Sequence, residues 1–429
     1  MGLKLNISND LKKSGFMLRQ SLLKTSVSNF LSLNASSTMS RAFIRNPKFY
    51  STSSNDTVLY ESKNGARIFT LNRPKVLNAI NVDMIDSILP KLVSLEESNL
   101  AKVIILKGNG RSFSSGGDIK AAALSIQDGK LPEVRHAFAQ EYRLSHTLAT
   151  YQKPVVALMN GITMGGGSGL AMHVPFRIAC EDTMFAMPET GIGYFTDVAA
   201  SFFFSRLPGY FGTYLGLTSQ IVKGYDCLRT GIATHFVPKH MFPHLEDRLA
   251  ELNTSDISKI NNTILEFAEF ASSSPPTFTP DVMDVINKCF CKNDTVDIIR
   301  ALKEYASNTS ALAEFAKSTV KTLYSKSPTS IAVTNRLIKS AAKWSISEAF
   351  YYDHIVSYYM LKQPDFVEGV NAQLITKTKN PKWSKSHEYH FKDLENYFKL
   401  PSEYNNGISF AAKGRRKTPL WNYKTYPYL

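Results

Sequence analysis

The sequence predicts an α/β fold with parallel strands, continued by a helical C-terminal region. Short apolar runs alternate with segments of helical period between residues 56 and 250, the pattern of strands joined by crossover helices. Three glycine clusters in the same span each follow a strand-like segment. From residue 251 to residue 400 the strand runs and glycine-rich turns disappear, and helical period remains.

The elements follow in order. Ala66-Arg-Ile-Phe-Thr-Leu71 alternates apolar and polar side chains, as a half-buried strand does, and Asn72-Arg-Pro-Lys75 ends it. From Asp83 to Leu95, the residues Met84, Ile85, Ile88, Leu89, Leu92 and Leu95 recur at helical spacing. Pro90 inside that run predicts a kink. Val103-Ile-Ile-Leu106 and Pro154-Val-Val-Ala-Leu158 read as short buried strands. Val198-Ala-Ala-Ser-Phe-Phe-Phe-Ser205 is too short and too polar at its ends to span a bilayer, and reads as a buried helix. Thr334 to Phe350 reads as one amphipathic helix with Leu337, Ile338, Ala341, Ala342 and Trp344 on or near one face.

A chain of 429 residues is long enough for two structural regions or for one large domain with an appendage. No uninterrupted run of 18 apolar residues occurs, so no membrane span is expected. The net charge of +14 is uneven. Residues 1–50 hold eight Lys or Arg, nine Ser and the single acid Asp10, a balance of +7. A basic, Ser-rich, acid-poor N-terminus reads as a mitochondrial transit peptide drawn toward the matrix by the membrane potential. A basic tail without a targeting role is the alternative. Cys180, Cys227, Cys289 and Cys291 form no CxxC pair, which points to free thiols rather than a zinc or redox site.

The glycine clusters are Phe113-Ser-Ser-Gly-Gly-Asp-Ile119, Asn160-Gly-Ile-Thr-Met-Gly-Gly-Gly-Ser-Gly169 and Pro188-Glu-Thr-Gly-Ile-Gly193. They lack the Gly-Lys-Ser/Thr ending of a nucleotide P-loop and the G-x-G-x-x-G dinucleotide fingerprint. Glycines at a helix start let backbone N–H groups approach a ligand, and the helix dipole favours negative charge there. Two such sites facing each other would form an oxyanion hole for a carbonyl that becomes anionic. Two structural tight turns are the other reading.

These segments resemble the crotonase superfamily, and within it the 3-hydroxyisobutyryl-CoA hydrolases. The matching text is Gly116-Gly-Asp-Ile119, Gln152-Lys-Pro154, Asn160-Gly-Ile-Thr-Met-Gly-Gly-Gly167, Phe185-Ala-Met-Pro-Glu-Thr190, Asp197-Val198 and Gly231-Ile-Ala-Thr-His235. Ser327-Pro-Thr-Ser330, Asp365-Phe-Val-Glu-Gly-Val370 and Pro381-Lys-Trp383 extend it, so that it spans residues 56–398. The resemblance implies a crotonase-like spiral of ββα turns with a helical C-terminal region. It implies an acyl-CoA thioester substrate, with CoA as part of the substrate and no separate cofactor or metal. By position it gives the backbone N–H groups of Ser115 and Gly166 as the oxyanion hole. It also gives Glu141, Gly166, Glu189 and Asp197 as the acyl-binding positions. Thioester hydrolysis needs a carboxylate as nucleophile or as base toward water, and Glu189 is the candidate for either. Asp197 would bind the substrate hydroxyl or orient water, and Glu141 would complete the polar wall.

The remaining candidates are weaker. Arg73 and Lys75 would meet CoA phosphates or lie in a solvated turn. Asp118 is expected to cap the helix that follows it. His387 and His390 read as surface residues, and His235 as structural. Thr196 stands where the family usually has Pro, Ala199 and Ala200 replace a glycine pair, and Thr376-Lys-Thr378 replaces Asp-Lys-Asp. The family's hydratases carry a second glutamate where this chain has Gly169, which argues against hydration of a double bond. A ribosomal role competes with catalysis, because some relatives of this hydrolase, including fungal ones, are built into the mitochondrial small ribosomal subunit. From Tyr404 to Leu429 the chain carries Lys413, Arg415, Arg416, Lys417 and Lys424 and no acid, interleaved with Trp421, Tyr423, Tyr426 and Tyr428. Such a segment suits RNA phosphates and unpaired bases, or packs on the protein itself. Nothing in the letters fixes an oligomeric state, and self-association stays open. The domain reading is therefore a leader (1–50), a crotonase core (56–250), a helical region (251–400) and a basic aromatic extension (401–429).

Overall fold

Strand β1 (Val58–Lys63) turns at Asn64-Gly65 and pairs antiparallel with β2 (Ala66–Leu71). The computed structural model describes residues 56–308, 311–388 and 394–404. The leader, the extension from residue 405 onward and His390 lie outside the described residues. Seven strands follow in close alternation with helices. They are β3 (Val103–Gly108), β4 (Ser112–Ser114), β5 (Val155–Met159), β6 (Ile162–Met164), β7 (Phe176–Ala179), β8 (Met184–Ala186) and β9 (Val222–Lys223). The last strand is β10 (His235–Phe236).

Two sheets result. One has the order β1-β2-β3-β5-β7-β10, parallel from β2 onward; the other has the order β4-β6-β8-β9. Each strand of the first sheet from β3 to β7 is followed after a few residues by a strand of the second. This is the winding of a ββα spiral, and it agrees with the expected fold class. The four-stranded sheet was missed in sequence because its strands are only two or three residues long, and two of them, β4 and β6, overlap the glycine clusters.

The continuous apolar text of β3 and β5 has a physical reason. Ile104 and Leu106 face one core, shared with α1 (Val82–Glu97). Val103 and Ile105 face a second core, covered by α8 (Phe242–Leu252) and α9 (Ile257–Leu265). A parallel sheet buried on both faces needs apolar residues at every position. Helix α1 runs through Pro90 without ending, and its start is fixed by Asn81, whose Oδ1 accepts the Met84 N–H at 3.1 Å.

The spiral helices are α2 (Ile119–Gln127), α3 (Leu131–Ala149), α4 (Gly166–Met172), α5 (Ala200–Phe204), α6 (Phe211–Thr218) and α7 (Asp226–Arg229). Helix α5 is wholly buried, as its aromatic text predicts. After α9 come α10 (Pro280–Phe290), α11 (Thr295–Ala306), α12 (Ala311–Tyr324), α13 (Pro328–Ala341), α14 (Ile346–Met360) and α15 (Pro364–Val370). The single helix expected over Thr334–Phe350 is two. Ser345 accepts the Glu348 N–H while Glu348 accepts the Ser345 N–H, a capping box that starts α14 afresh. Among the described residues no helix is long and apolar enough to cross a membrane. The four cysteines are free thiols, three of them buried.

Candidate active site

Three acids from separate elements meet at the glycine run before α4. Glu141 sits on α3, Glu189 opens the 3-10 turn Glu189–Ile192, and Asp197 follows that turn by one short loop. All three are buried. Their closeness to the glycines is measurable. A Cβ added at Gly165 would lie 2.9 Å from Glu189 Oε1, and one at Gly166 would lie 1.8 Å from Glu141 Oε1. A side chain at residue 166 would displace the carboxyl, so this approach needs glycine.

The backbone donors differ from the expected pair. The Gly166 N–H opens α4 and has no acceptor inside the helix. It has no partner among the described residues, and neither does the Gly117 N–H. The two sit together, since a Cβ at Gly166 would lie 3.3 Å from Gly117 N. The Ser115 N–H, in contrast, donates to the Leu77 carbonyl at 2.9 Å. Left-handed backbone at Leu77 and Asn78 turns that carbonyl onto it. Ser115 is therefore replaced by Gly117 as the partner of Gly166, a correction of two residues along the same loop.

Burial sets the charge state of the acids. Desolvation, then the charge of Asp197, raise Glu141 to about 8, so it is mostly the neutral acid at pH 7. Glu189 is pushed well above the usual carboxylate range by burial, then by Asp197 and Glu141. Its Oε2 is buried without a hydrogen-bond partner among the described residues. Asp197 is also raised by burial, against the pull of the Tyr142 hydroxyl, which donates to Asp197 Oδ2 at 2.8 Å. Tyr142 and Tyr194 hydroxyls are 3.1 Å apart, and Tyr194 donates to Ser357 on α14 at 2.7 Å.

Helix α14 reaches the site a second time. Asp353 is fully buried, and its Oδ2 accepts the Ala199 N–H at 2.5 Å. That bond holds a strained turn, because Val198 and Ala199 both have left-handed backbone, with φ of 51° and 54°. His173 donates through Nε2 to the Val198 carbonyl at 2.7 Å, and burial lowers its pKa to about 4, so the ring stays neutral. The turn presses Val198 against Gly169. A Cβ there would lie 2.7 Å from Val198 Cβ, so the position has no room for a glutamate. Thr196 uses what a proline lacks: its N–H donates to Thr334 Oγ1 at 3.1 Å.

A family model described as enoyl-CoA hydratase/isomerase matches residues 66–398. The chain belongs to that family. This family member is 39% identical to 3-hydroxyisobutyryl-CoA hydrolase 1 of Arabidopsis thaliana, over 80% of this chain and 92% of that protein. It is 40% identical to the mitochondrial 3-hydroxyisobutyryl-CoA hydrolase of Danio rerio, over 77% of this chain and 85% of the relative. It is 44% identical to the small ribosomal subunit protein mS47 of Neurospora crassa, over 76% of this chain and 68% of the relative. Among solved structures, a carnitinyl-CoA dehydratase from Mycobacterium thermoresistibile superposes with a TM-score of 0.74 at 30% identity. It covers 84% of this chain and all of that one.

The other candidates separate from the hydratase/isomerase-family acid cluster. Asp118 stands at the N-cap of α2 but makes no side-chain cap; it pairs instead with Arg73 Nη2 at 3.2 Å. Arg73 also donates to the Ala79 carbonyl at 2.5 Å, so its guanidinium ties the loop together. Lys75 is exposed. His235 is buried on β10 and bonded to Thr234, a structural residue as expected. His387 is not a free surface residue: its Nε2 bonds the carbonyls of Leu323 and Lys326 at 3.1 and 3.0 Å.

Four residues at the site escaped the sequence reading. Gly117 lies two residues after Ser115, which was chosen instead, and Tyr142 follows Glu141. Lys326 precedes the Ser327-Pro328 start of α13, and Asp353 carries no local signal. A cavity of about 600 Å³ lies elsewhere, lined by Tyr225, Phe236 and Phe270, and holds none of the three acids.

Proposed function

We propose that this chain hydrolyses 3-hydroxyisobutyryl-CoA to 3-hydroxyisobutyrate and CoA, as a step of valine catabolism in the mitochondrial matrix. The observation that carries the reading is the meeting of Glu189 with two unpaired backbone donors, Gly117 and Gly166, beside a Gly169 that admits no second acid. The thioester oxygen would sit between the two N–H groups, where charge developing on it is stabilised by fixed dipoles. Loss of one such donor typically costs about 3–4 kcal/mol.

Glu189 then acts in one of two ways. As nucleophile, one of its oxygens bonds the carbonyl carbon, the C–S bond breaks, CoA leaves as thiolate, and water opens the resulting anhydride. As base, it takes a proton from a water that attacks the same carbon. Label in the Glu189 side chain after a single turnover in H₂¹⁸O demonstrates the first route, since only water attack on the glutamyl carbonyl of the anhydride places ¹⁸O there. Asp197, held by Tyr142, would bind the acyl hydroxyl or orient water, and CoA enters only as part of the substrate. The reading expects release of free CoA from 3-hydroxyisobutyryl-CoA and no hydration of crotonyl-CoA. Hydration of crotonyl-CoA at a rate matching thiol release would overturn it.

The likeness to the Neurospora crassa ribosomal protein favours a second reading, a structural part of the mitochondrial small ribosomal subunit with or without turnover. The basic extension would serve as its RNA anchor. Sedimentation of a mitochondrial lysate tests both readings at once: co-migration with the small subunit supports assembly, and a free, active pool supports the matrix enzyme. N-terminal sequencing of the same pool tests removal of the leader.

A further inference from the structure

Among the described residues, Lys326 is a cation whose charge bears on Glu189. It lies in the loop between α12 and α13. A Cβ at Gly191, two residues after Glu189 in the same 3-10 turn, would lie 3.3 Å from Lys326 Nζ. The ammonium has no hydrogen-bond or ion-pair partner among the described residues, although the residue is partly buried. Its backbone is pinned from two sides. The Ser327 N–H donates to the Thr190 carbonyl at 3.0 Å, and His387 holds the Leu323 and Lys326 carbonyls. Asp365, the nearby acid on α15, is taken up by the Ser327 hydroxyl at 2.6 Å and the Ser384 N–H at 2.8 Å. The loop is thus built to hold a lysine over the Glu189 turn without pairing it to anything else.

We propose that Lys326 is a positioning residue whose ammonium, held over the Glu189 turn, favours the carboxylate form of Glu189 against the neighbouring acids. The inference rests on the hydrolase reading of Glu189. Its logic is charge balance. Glu141, Glu189 and Asp197 share one buried space, and each makes ionisation of the others harder. Either route to hydrolysis needs Glu189 as carboxylate. A cation near an acid, in a medium that screens poorly, favours the charged form of that acid. The same burial lowers Lys326 itself to about 8, with Glu189 opposing that fall. The lysine therefore stays mostly charged at neutral pH. It acts through Glu189 and makes no contact with the reacting atoms.

The test is the pH profile of kcat/KM for thioester hydrolysis in wild type, Lys326→Met and Lys326→Arg. Methionine keeps the stem and removes the charge; arginine keeps the charge. The expected result is an acid limb moved up by about one pH unit in Lys326→Met. Activity below the limb then falls about tenfold, while the high-pH plateau is preserved. Lys326→Arg should restore the wild-type limb. An unmoved limb in Lys326→Met overturns the proposal. So does an equal loss at every pH with a lowered melting temperature, which is the signature of a packing role. A second readout does not need turnover. Titration of the Glu189 carboxyl by carbon NMR in full-length protein labelled at the glutamate carboxyls, assigned with Glu189→Gln, should show its pKa rise in Lys326→Met. If wild type hydrolyses nothing yet that pKa rises, the hydrolase reading fails and the Lys326 pairing stands.

Discussion

The spiral and the C-terminal helices serve one site in different ways. The spiral supplies the groups proposed to face the substrate: the Gly117 and Gly166 donors, and Glu141, Glu189 and Asp197. The helical region supplies what stands behind them. Asp353 and Ser357 come from α14, and Lys326 from the start of α13. The two donors sit at helix starts, Gly166 as the first residue of α4 and Gly117 just before α2, where backbone geometry fixes them. The supporting groups arrive by packing, from more than 100 residues further along the chain. The difference teaches that the reaction chemistry is local to the glycine loops, whereas charge state and strain are set from a distance.

The comparison can be broken most severely at Gly166. Gly166→Ala drives a Cβ into Glu141 and disturbs the N–H donor, so kcat should fall by about 10²–10³. Stopped-flow thiol release measures it, and a loss below tenfold would show that the donor pair is dispensable.

Next comes Asp353. Asp353→Ala leaves the Ala199 N–H buried and the left-handed turn unheld, a cost of about 1–3 kcal/mol. Urea unfolding reads it directly, and kcat should fall with it because Asp197 belongs to that turn. Unchanged stability would mean the turn is held by the spiral alone.

The third prediction concerns pH. The carboxyl of Glu141 is raised in the folded state from an ordinary 4.5 to about 8. The folded protein thus binds this proton more tightly than the unfolded chain. Its contribution to stability is full below pH 4.5 and is lost as pH rises through 8. Thermal unfolding should show stability declining across that window, and Glu141→Gln should flatten the decline. The smallest effect is expected at Ala199→Gly. Relief of the left-handed alanine should stabilise the protein by about 1 kcal/mol, read as a higher melting temperature.

Much of this was legible in the letters. The apolar runs of β2, β3 and β5, the buried aromatic helix α5 and the helical C-terminal region follow from period and composition. The meeting of Glu189 with the Gly165–Gly167 run was implied by the family resemblance, not by period or composition. What escaped has physical causes. Strands of two or three residues leave no period to read. The choice between Ser115 and Gly117 depends on which N–H a left-handed Leu77 carbonyl captures, and a glycine motif does not state that. Asp118 looks like a cap in sequence, but Arg73 competes for it from 45 residues away. The break between α13 and α14 was written in Ser345 and Glu348, and the apolar spacing across it concealed the cap.

The central claim is that Glu189, set against the Gly117 and Gly166 donors, performs thioester hydrolysis. It is tested most directly by thiol release from 3-hydroxyisobutyryl-CoA, with purified wild type and Glu189→Ala measured side by side. The account predicts turnover in the wild type and a loss of about 10²–10⁴-fold in the variant. Equal rates in the two proteins, or no release above background in the wild type, would contradict it.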